Sequence, residues 1–444
     1  MSKRWVYWQI LMNKKTIFAI STPGGKSALA VIRVSGPNAI DNIKKISSKA
    51  FKIPNKAFVN HILDKDKTTI DQTITTYFKS PKSFTGEDMV EISTHGGGAV
   101  TRKIIKRLAS LKGFKEAEPG EFSRRAFENN KLDLTQVEAI ADIVNAETEI
   151  QRKQAIKNLS GGFFKSSKKT FEKLKKIQAN IDAIIDFSEE DLPKNLLKNI
   201  KEQIENTILG ISNTLKNSSF GISVRSGFLV AILGKPNTGK SSFINLVSDK
   251  EVAIVTNIPG TTRDLIESYV DLGGYPIRFV DTAGIRKSKN KIENIGVQKA
   301  LKASKESNIN LVFIKNKRDI SQFKKIKKTI FVRSKQDIHN GPFKDNGFYN
   351  ISSKSKYGVP KLLSIIQKKV SSLAAPENAY ISRERHIICL EEAKNHLINA
   401  KKDKTTDMLS EDIRMAIKSF KKLFGDVDIE DILDIIFSDF CIGK

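Results

Sequence analysis

The chain has little of what builds disulfide frameworks, metal knuckles or membrane spans. It carries two cysteines, Cys389 and Cys441, in 444 residues. Neither stands at metal-ligand spacing from a partner and two thiols make no framework, so a reducing compartment is the natural setting. Cys389, in HIICL, reads as a small core residue, and packing is also the favoured reading of Cys441. The longest early apolar run, Val6 to Met12, is too short to cross a bilayer and is followed by no small-residue cleavage site. The segment is also too short and aromatic for an organelle transit peptide, and Met12 is an alternative start. The final CIGK imitates a prenylation box, but Lys is not a usual last residue there, so no membrane attachment is expected. Acidic residues are scarce relative to basic ones, 49 against 76, a formal net charge of +27. Only 16 of those bases are arginine and the lysines are scattered, as A+T-rich coding yields. The charge therefore supports nucleic-acid contact weakly, though it makes any such contact salt-sensitive.

What is present is chemistry for phosphate. Gly234 to Ser242 reads GKPNTGKSS, after the apolar run Phe228–Leu233 and before a helix-like stretch from Ser241 to Val247. Strand, glycine-rich loop, Lys-Ser and helix form the context in which backbone N–H groups wrap phosphates. Lys240 then neutralises the terminal phosphate oxygens, and the Ser241 hydroxyl is a Mg²⁺ ligand. Ile277 to Gly284 reads IRFVDTAG, a strand ending in Asp281, which would hold Mg²⁺ through water, with Gly284 free to approach the γ-phosphate. In GTTRD (Gly260 to Asp264), Thr262 is the second candidate hydroxyl for Mg²⁺. A short strand, Thr329–Val332, precedes Ser334, Lys335, Gln336 and Asp337. This resembles the guanine-reading N-K-x-D loop of GTPases, with Asp337 accepting from the base and the Lys335 stem covering it. Ser334 stands where Asn is usual. Ser352, Ser353 and Lys354 occupy the place of the last guanine-site motif. Each piece is common alone; their order and spacing point to a GTPase.

One departure bears on mechanism. After DTAG, Ras-type enzymes carry a Gln that orients the attacking water. Ile285 stands there and cannot do so. Asn237 in the P-loop is a candidate ligand for a monovalent cation, with carbonyls of the Thr256 to Thr261 loop completing an oxygen cage. A loop residue satisfying its own backbone is the equal alternative.

The chain ends carry a wider resemblance. TIFAISTPGG (Thr16–Gly25), IRVSG (Ile32–Gly36), SFTGEDMVEISTHGG (Ser83–Gly97), PGEFSRRAFENNKLDLTQVEAIADIV (Pro119–Val144) and the terminal CIGK flank the GTPase motifs. In this order, from about Thr16 to Lys444, they resemble the TrmE/MnmE family of tRNA-modification GTPases. The resemblance implies a cytoplasmic homodimer that forms a heterotetramer with an FAD-dependent enzyme of the glucose-inhibited division protein A family. Together they would add an aminomethyl or carboxymethylaminomethyl group to C5 of the wobble uridine (position 34) of certain tRNAs. The one-carbon unit would come from 5,10-methylene- or formyl-tetrahydrofolate. By position, Asn237, Thr256, Ile258 and Thr261 match potassium ligands, and Ser241 and Thr262 magnesium ligands. Glu293 matches the acid that helps orient water, a fitting substitute for the absent Gln. Lys240 completes the catalytic pair. The GTP-binding set runs through Asn237, Thr238, Gly239, Lys240, Ser241 and Ser242. It continues with Thr256, Asn257, Ile258, Pro259, Gly260, Thr261 and Thr262, then Asp281, Thr282, Ala283 and Gly284. Arg33, Glu91, Lys131 and Lys444 match folate-contacting positions; basic groups suit a polyanionic tail and a carboxylate suits a pterin's donor edge. His95 would be a structural loop residue or line the folate pocket, and His386 has no derivable role.

The expected architecture is multidomain. An extension (1–15) precedes an α+β folate-binding and dimerising domain (16–130), with one amphipathic helix over Val100–Leu111. A helical domain (131–226) begins with Leu134, Val137, Ala141 and Val144 on one face. A Ras-like α/β P-loop GTPase domain (227–375) is inserted into it, entered through a linker, GISVRSG (Gly221–Gly227), and left through AAPEN. Helix resumes over 376–444. A ribosome-assembly GTPase shares the P-loop Asn and the apolar residue after DTAG, but leaves the N-terminal block and the CIGK tail unexplained. A folate-binding protein with a decayed G domain is the third reading, suggested by Ser334, Lys287 and Lys315-Asn316.

Overall fold

The structure, a computed structural model, describes residues 15–49, 53–186, 195–248, 267–281, 303–338, 348–373, 380–402 and 405–427, with Leu433, Ile436, Phe440 and Gly443. It divides into two compact units, Met1–Ala141 with Lys421–Lys444, and Asp142–Phe420.

The first unit is built on a six-stranded sheet. Its elements are β1 (Thr16–Ile20), β2 (Ser27–Ser35), α1 (Ala39–Lys45), β3 (Ala57–Leu63), β4 (Thr69–Phe78), β5 (Met89–Gly96), α2 (Gly98–Ala109), β6 (Phe114–Glu116), α3 (Glu121–Glu128) and the start of α4 (Leu134–Val144). Strand order is β3-β4-β5-β2-β1-β6, antiparallel except for the β1–β6 pair. Alternation decides the faces of β2: Ala30, Ile32 and Val34 are buried, which turns Arg33 to the other face. On α2, Thr101, Ile104 and Leu108 are the buried stripe. The short helices α1 and α3 escape a periodicity reading because each spans barely two turns. Leu134, Val137 and Ala141 of α4 pack against Leu433, Ile436 and Phe440 near the C-terminus.

The second unit starts with the last turn of α4. It continues through α5 (Glu149–Leu159), α6 (Gly162–Asp186), α7 (Leu196–Lys216) and α8 (Ser218–Ser226). A second sheet follows, with β7 (Phe228–Gly234), α9 (Lys240–Ser248), β8 (Glu267–Leu272), β9 (Tyr275–Asp281), β10 (Ile309–Ile314), β11 (Thr329–Arg333), β12 (Phe348–Asn350) and α10 (Val359–Ser372). α11 (Glu384–Ala400) and α12 (Thr406–Phe424), the latter as far as Phe420, complete it. Strand order is β12-β11-β10-β7-β9-β8, parallel but for the antiparallel β8–β9 edge hairpin. The central strands are nearly continuous apolar runs, as a sheet covered on both faces requires.

The stretch read as a linker, Gly221–Gly227, is helical as far as Ser226. Gly221 is there for proximity rather than flexibility, since a Cβ at that position would collide with the Ile381 carbonyl oxygen. Only Gly227, at φ 87°, breaks the helix before β7.

Phe243 on α9 sits at the centre of the second sheet's core, fully buried, edge-on to Phe279 with ring centroids 5.8 Å apart and 5.6 Å from Phe313. Phe243→Ala removes all of that contact and should cost about 3–5 kcal/mol. Chemical denaturation should show the transition that includes this sheet at a clearly lower midpoint; an unchanged curve would mean the core collapses onto the gap.

Candidate functional site

β7 delivers the P-loop. Gly234 pairs with Phe313 across β10, and its φ of 137° and the nearby Phe313 carbonyl leave no room for a side chain. Asn237 (φ 59°) and Gly239 (φ 87°) are both left-handed, which curls the loop back into α9. Thr238 Oγ1 donates to the Lys235 carbonyl at 2.8 Å, closing the loop on itself. The Lys240 ammonium, 5% exposed as a residue, donates to the Gly234 and Lys235 carbonyls at 3.0 and 2.8 Å. A cation is thus fixed beside the backbone amides at the start of α9, an arrangement made for phosphate. Ser241 Oγ donates to Asp281 Oδ2 at 3.2 Å, and Asp281 is 1% exposed at the end of β9. An exposed hydroxyl and a buried carboxylate meeting there form an all-oxygen pair suited to a hard divalent cation. Asn237 is exposed, and its amide makes no hydrogen bond among the described residues, so the self-satisfying alternative gains no support.

The Ser334–Asp337 loop, expected to read the base, follows β11. Buried Ser334 donates through Oγ to the Thr238 carbonyl of the P-loop. The two loops approach so closely that a Cβ on Gly239 would lie 2.6 Å from Ser334 Oγ. Lys335 is left-handed at φ 62°, and Gln336 N donates to the Ile351 carbonyl. Ser352, fully buried, donates to Asp337 Oδ1 at 2.6 Å and accepts from Ser355 N, which fixes the Asp337 carboxylate. Ser353 Oγ and Gln336 Oε1 are buried without partners among the described residues, and Lys354 is exposed.

Asp319 was not found from the sequence. It caps a 3-10 turn after β10, accepting from Lys315 N, Asn316 N and, at 2.6 Å, from the Lys235 ammonium of the P-loop. Lys235 holds the carboxyl below its ordinary value. The tie is therefore complete above the ordinary carboxylate pKa of ~3.9 and is lost only as pH falls through the lowered value.

In the first unit, Arg33 and Glu91 are register partners on β2 and β5, joined at 2.8 Å and half-buried. Arg33 Nη1 also reaches the Gly443 carbonyl at 3.4 Å, and Ser21 Oγ donates to the same oxygen at 3.0 Å. The sheet thus brings Arg33, Glu91 and the end of the chain together. Lys131 donates to the Pro81 carbonyl at 3.0 Å. His95 lies on β5 rather than in a loop, with Nδ1 2.8 Å from Asp71 Oδ1. Burial raises the Asp71 carboxyl, but hydrogen bonds from Thr94 and His95 outweigh it and leave its pKa lowered. His386 is buried and stacks on Phe163 at 4.7 Å, a packing role. Sequence reading also missed Arg125, buried between Glu87, Glu121 and the Lys15 carbonyl. Thr256 to Thr262, Thr282, Ala283, Gly284, Glu293, Cys441 and Lys444 lie outside the described residues.

Ser334→Ala removes the tether and leaves the Thr238 carbonyl without that partner, a cost of about 1–2 kcal/mol. Guanine-nucleotide Kd should rise roughly 5- to 30-fold, with kcat at saturation little changed and Ser334→Asn retaining affinity. Parental affinity in the Ala variant would show that the contact does not hold the loop.

Two family models match the chain, "GTP-binding protein TrmE N-terminus" over residues 16–131 and "MnmE helical domain" over residues 134–441. A curated relative from Rickettsia prowazekii (strain Madrid E), "tRNA modification GTPase MnmE", is 39% identical over 97% of this chain and 100% of its own length. A protein of the same description from Wolbachia sp. subsp. Brugia malayi is 38% identical over 98% of this chain and 100% of its own. Among solved structures, the G domain of the T. maritima FeoB iron transporter is 22% identical with a TM-score of 0.25, covering 33% of this chain and 99% of that one. Matched along nearly its whole length, the chain belongs to the MnmE family and is a GTP hydrolase acting in tRNA modification.

Proposed function

We propose that the chain is a potassium-dependent GTPase which, with an FAD-dependent partner of the glucose-inhibited division protein A family, adds a (carboxymethyl)aminomethyl group to C5 of the wobble uridine of certain tRNAs. The working particle is a heterotetramer built on a homodimer of this chain in the cytoplasm, and the G domain is the inserted block 227–375. The observation that carries the GTPase half is the Ser241–Asp281 pair beside the fixed Lys240 ammonium. Ser241, with Thr262, would hold Mg²⁺, which when bound neutralises charge developing on the phosphates. Asn237, with Thr256, Ile258 and Thr261, would hold K⁺. Lys240 grips the γ-phosphate, Asp337 reads the guanine donors, and Glu293 orients the attacking water in place of the missing Gln.

For the one-carbon half, Arg33, Glu91, Lys131 and Lys444 would seat a tetrahydrofolate. Support comes from Arg33 and Glu91, which meet beside the Gly443 carbonyl, one residue before Lys444. A guanidinium there suits a glutamyl carboxylate, and Glu91 can accept from a pterin's N–H groups.

GTP hydrolysis by the purified chain should be at least tenfold faster in potassium than in sodium at matched ionic strength, and Asn237→Ala should abolish the difference. Equal rates in both salts for the parent would remove the cation site from the mechanism. Separately, Arg33→Ala should weaken binding of 5-formyl-tetrahydrofolate tenfold or more by calorimetry; undiminished binding would place the folate elsewhere.

A further inference from the structure

The β8–β9 hairpin spans two places, the P-loop end of the sheet and the start of α5. β9 ends at Asp281, in contact with Ser241 of the P-loop helix. β8 begins at Glu267, three residues after the GTTRD segment. The far end of the hairpin is a two-glycine turn, Gly273 and Gly274 at φ 61° and 89°, the geometry of a tight hairpin turn. From Asp281 to Tyr275 the strand runs six steps, about 20 Å. The hairpin is the sheet's edge, bonded to the rest only through β9 and β7.

That far end touches the start of α5. Ile150 N donates to the Gly274 carbonyl at 3.3 Å. Gln151, 7% exposed, is used at every position of its amide. Its Oε1 accepts from Glu147 N, Thr148 N and Thr148 Oγ1 at 3.0–3.2 Å. Its Nε2 donates to the Tyr269 hydroxyl on β8 at 2.8 Å and to the Arg225 carbonyl at the end of α8 at 3.0 Å. One amide therefore holds the cap of α5, the entrance to the inserted sheet and the edge hairpin. The sheet's two connections are fixed nearby: Asp142 accepts from Arg225 Nε and Arg383 Nη2, both at 2.8 Å, so the chain is pinned where it enters and where it leaves the sheet. With both crossings held, the Tyr269–Gln151 bond is where a displacement of the edge hairpin would reach the cap of α5.

We propose that Gln151 and Tyr269 are positioning residues that pass the state of the nucleotide end of the β8–β9 hairpin to the helices carrying the inserted domain, so that GTP turnover is converted into tRNA modification. Neither residue touches the nucleotide loops described above. The bond between them lets the cap of α5 follow β8, and its loss lets the G domain cycle without moving α5.

The test rests on the wobble-uridine reading and separates from it. The full chain, expressed at limiting level in cells lacking their own copy, is compared as parent, Tyr269→Phe, Gln151→Ala and the double variant, with modified wobble uridine measured by nucleoside digest and GTP hydrolysis on the purified chains. An absence of modification with the parent chain defeats the wobble-uridine reading itself. Given modification by the parent, Tyr269→Phe should lower it threefold or more while GTP hydrolysis stays within twofold. The double variant should be no worse than Gln151→Ala alone, because the two groups act through one bond. Parental modification in Tyr269→Phe overturns the proposal, as does a parallel fall in hydrolysis, which would place the hydroxyl's role within the nucleotide site. Tyr269→Phe removes only a hydroxyl and keeps the ring packed against Gly227, so it remains informative if Gln151→Ala fails to fold.

Discussion

Asp142 accepts hydrogen bonds from two guanidiniums that are 158 residues apart in sequence, Arg225 just before the inserted sheet and Arg383 just after it. Its carboxylate is only 11% exposed, so its desolvation is tolerable only with both partners present. Around it, Gln154 donates to the Gly221 carbonyl and Asn158 to the Tyr380 carbonyl, tying both crossings to one face of α5. Gly221 lets the Ile381 backbone come close enough for this. A sheet attached through two flexible connections would tumble; one whose two connections share a carboxylate has a defined base. The nucleotide site inherits its orientation relative to these helices from that base.

Within the sheet the same device recurs. Gly234 admits the Phe313 carbonyl, which places β10 beside the P-loop and so places Asp319 beside Lys235. β11 then delivers Ser334 to the Thr238 carbonyl and Asp337 to Ser352. The P-loop and the Ser334–Asp337 loop are therefore one connected piece of backbone and hydroxyls. Prepositioning of this kind reduces the ordering cost of binding.

Much of this was legible in the sequence because it is local. The P-loop, the strand ending at Asp281 and the Ser334–Asp337 loop each lie in a few consecutive residues, with the strand or helix that positions them directly adjacent. The amphipathic α2 was legible for the same reason, as was the face of α4 through Leu134, Val137 and Ala141, but Val144, placed on that face, is exposed because the helix ends there. What was hidden is long-range. Asp142, Gln151 and Arg125 look like surface polar residues in sequence, and only the fold brings them partners 38 to 241 residues away. Gly221 misled because glycine serves close approach as well as flexibility, and nothing local tells the two apart. α1 and α3 were missed because barely two turns carry too few apolar repeats.

The departures at Ser334 and at Lys315-Asn316 read in sequence as signs of decay, and the geometry points the other way. A hydroxyl at 334 still reaches the Thr238 carbonyl, the function a longer amide would serve there. Where Lys315 and Asn316 offer no carboxylate, Asp319, four residues on, turns back through a capping box, takes their backbone N–H groups and pairs with Lys235. Two P-loop groups, the Thr238 carbonyl and the Lys235 ammonium, thus keep partners in Ser334 and Asp319, so the substitutions are better understood as alternative solutions to the same constraint.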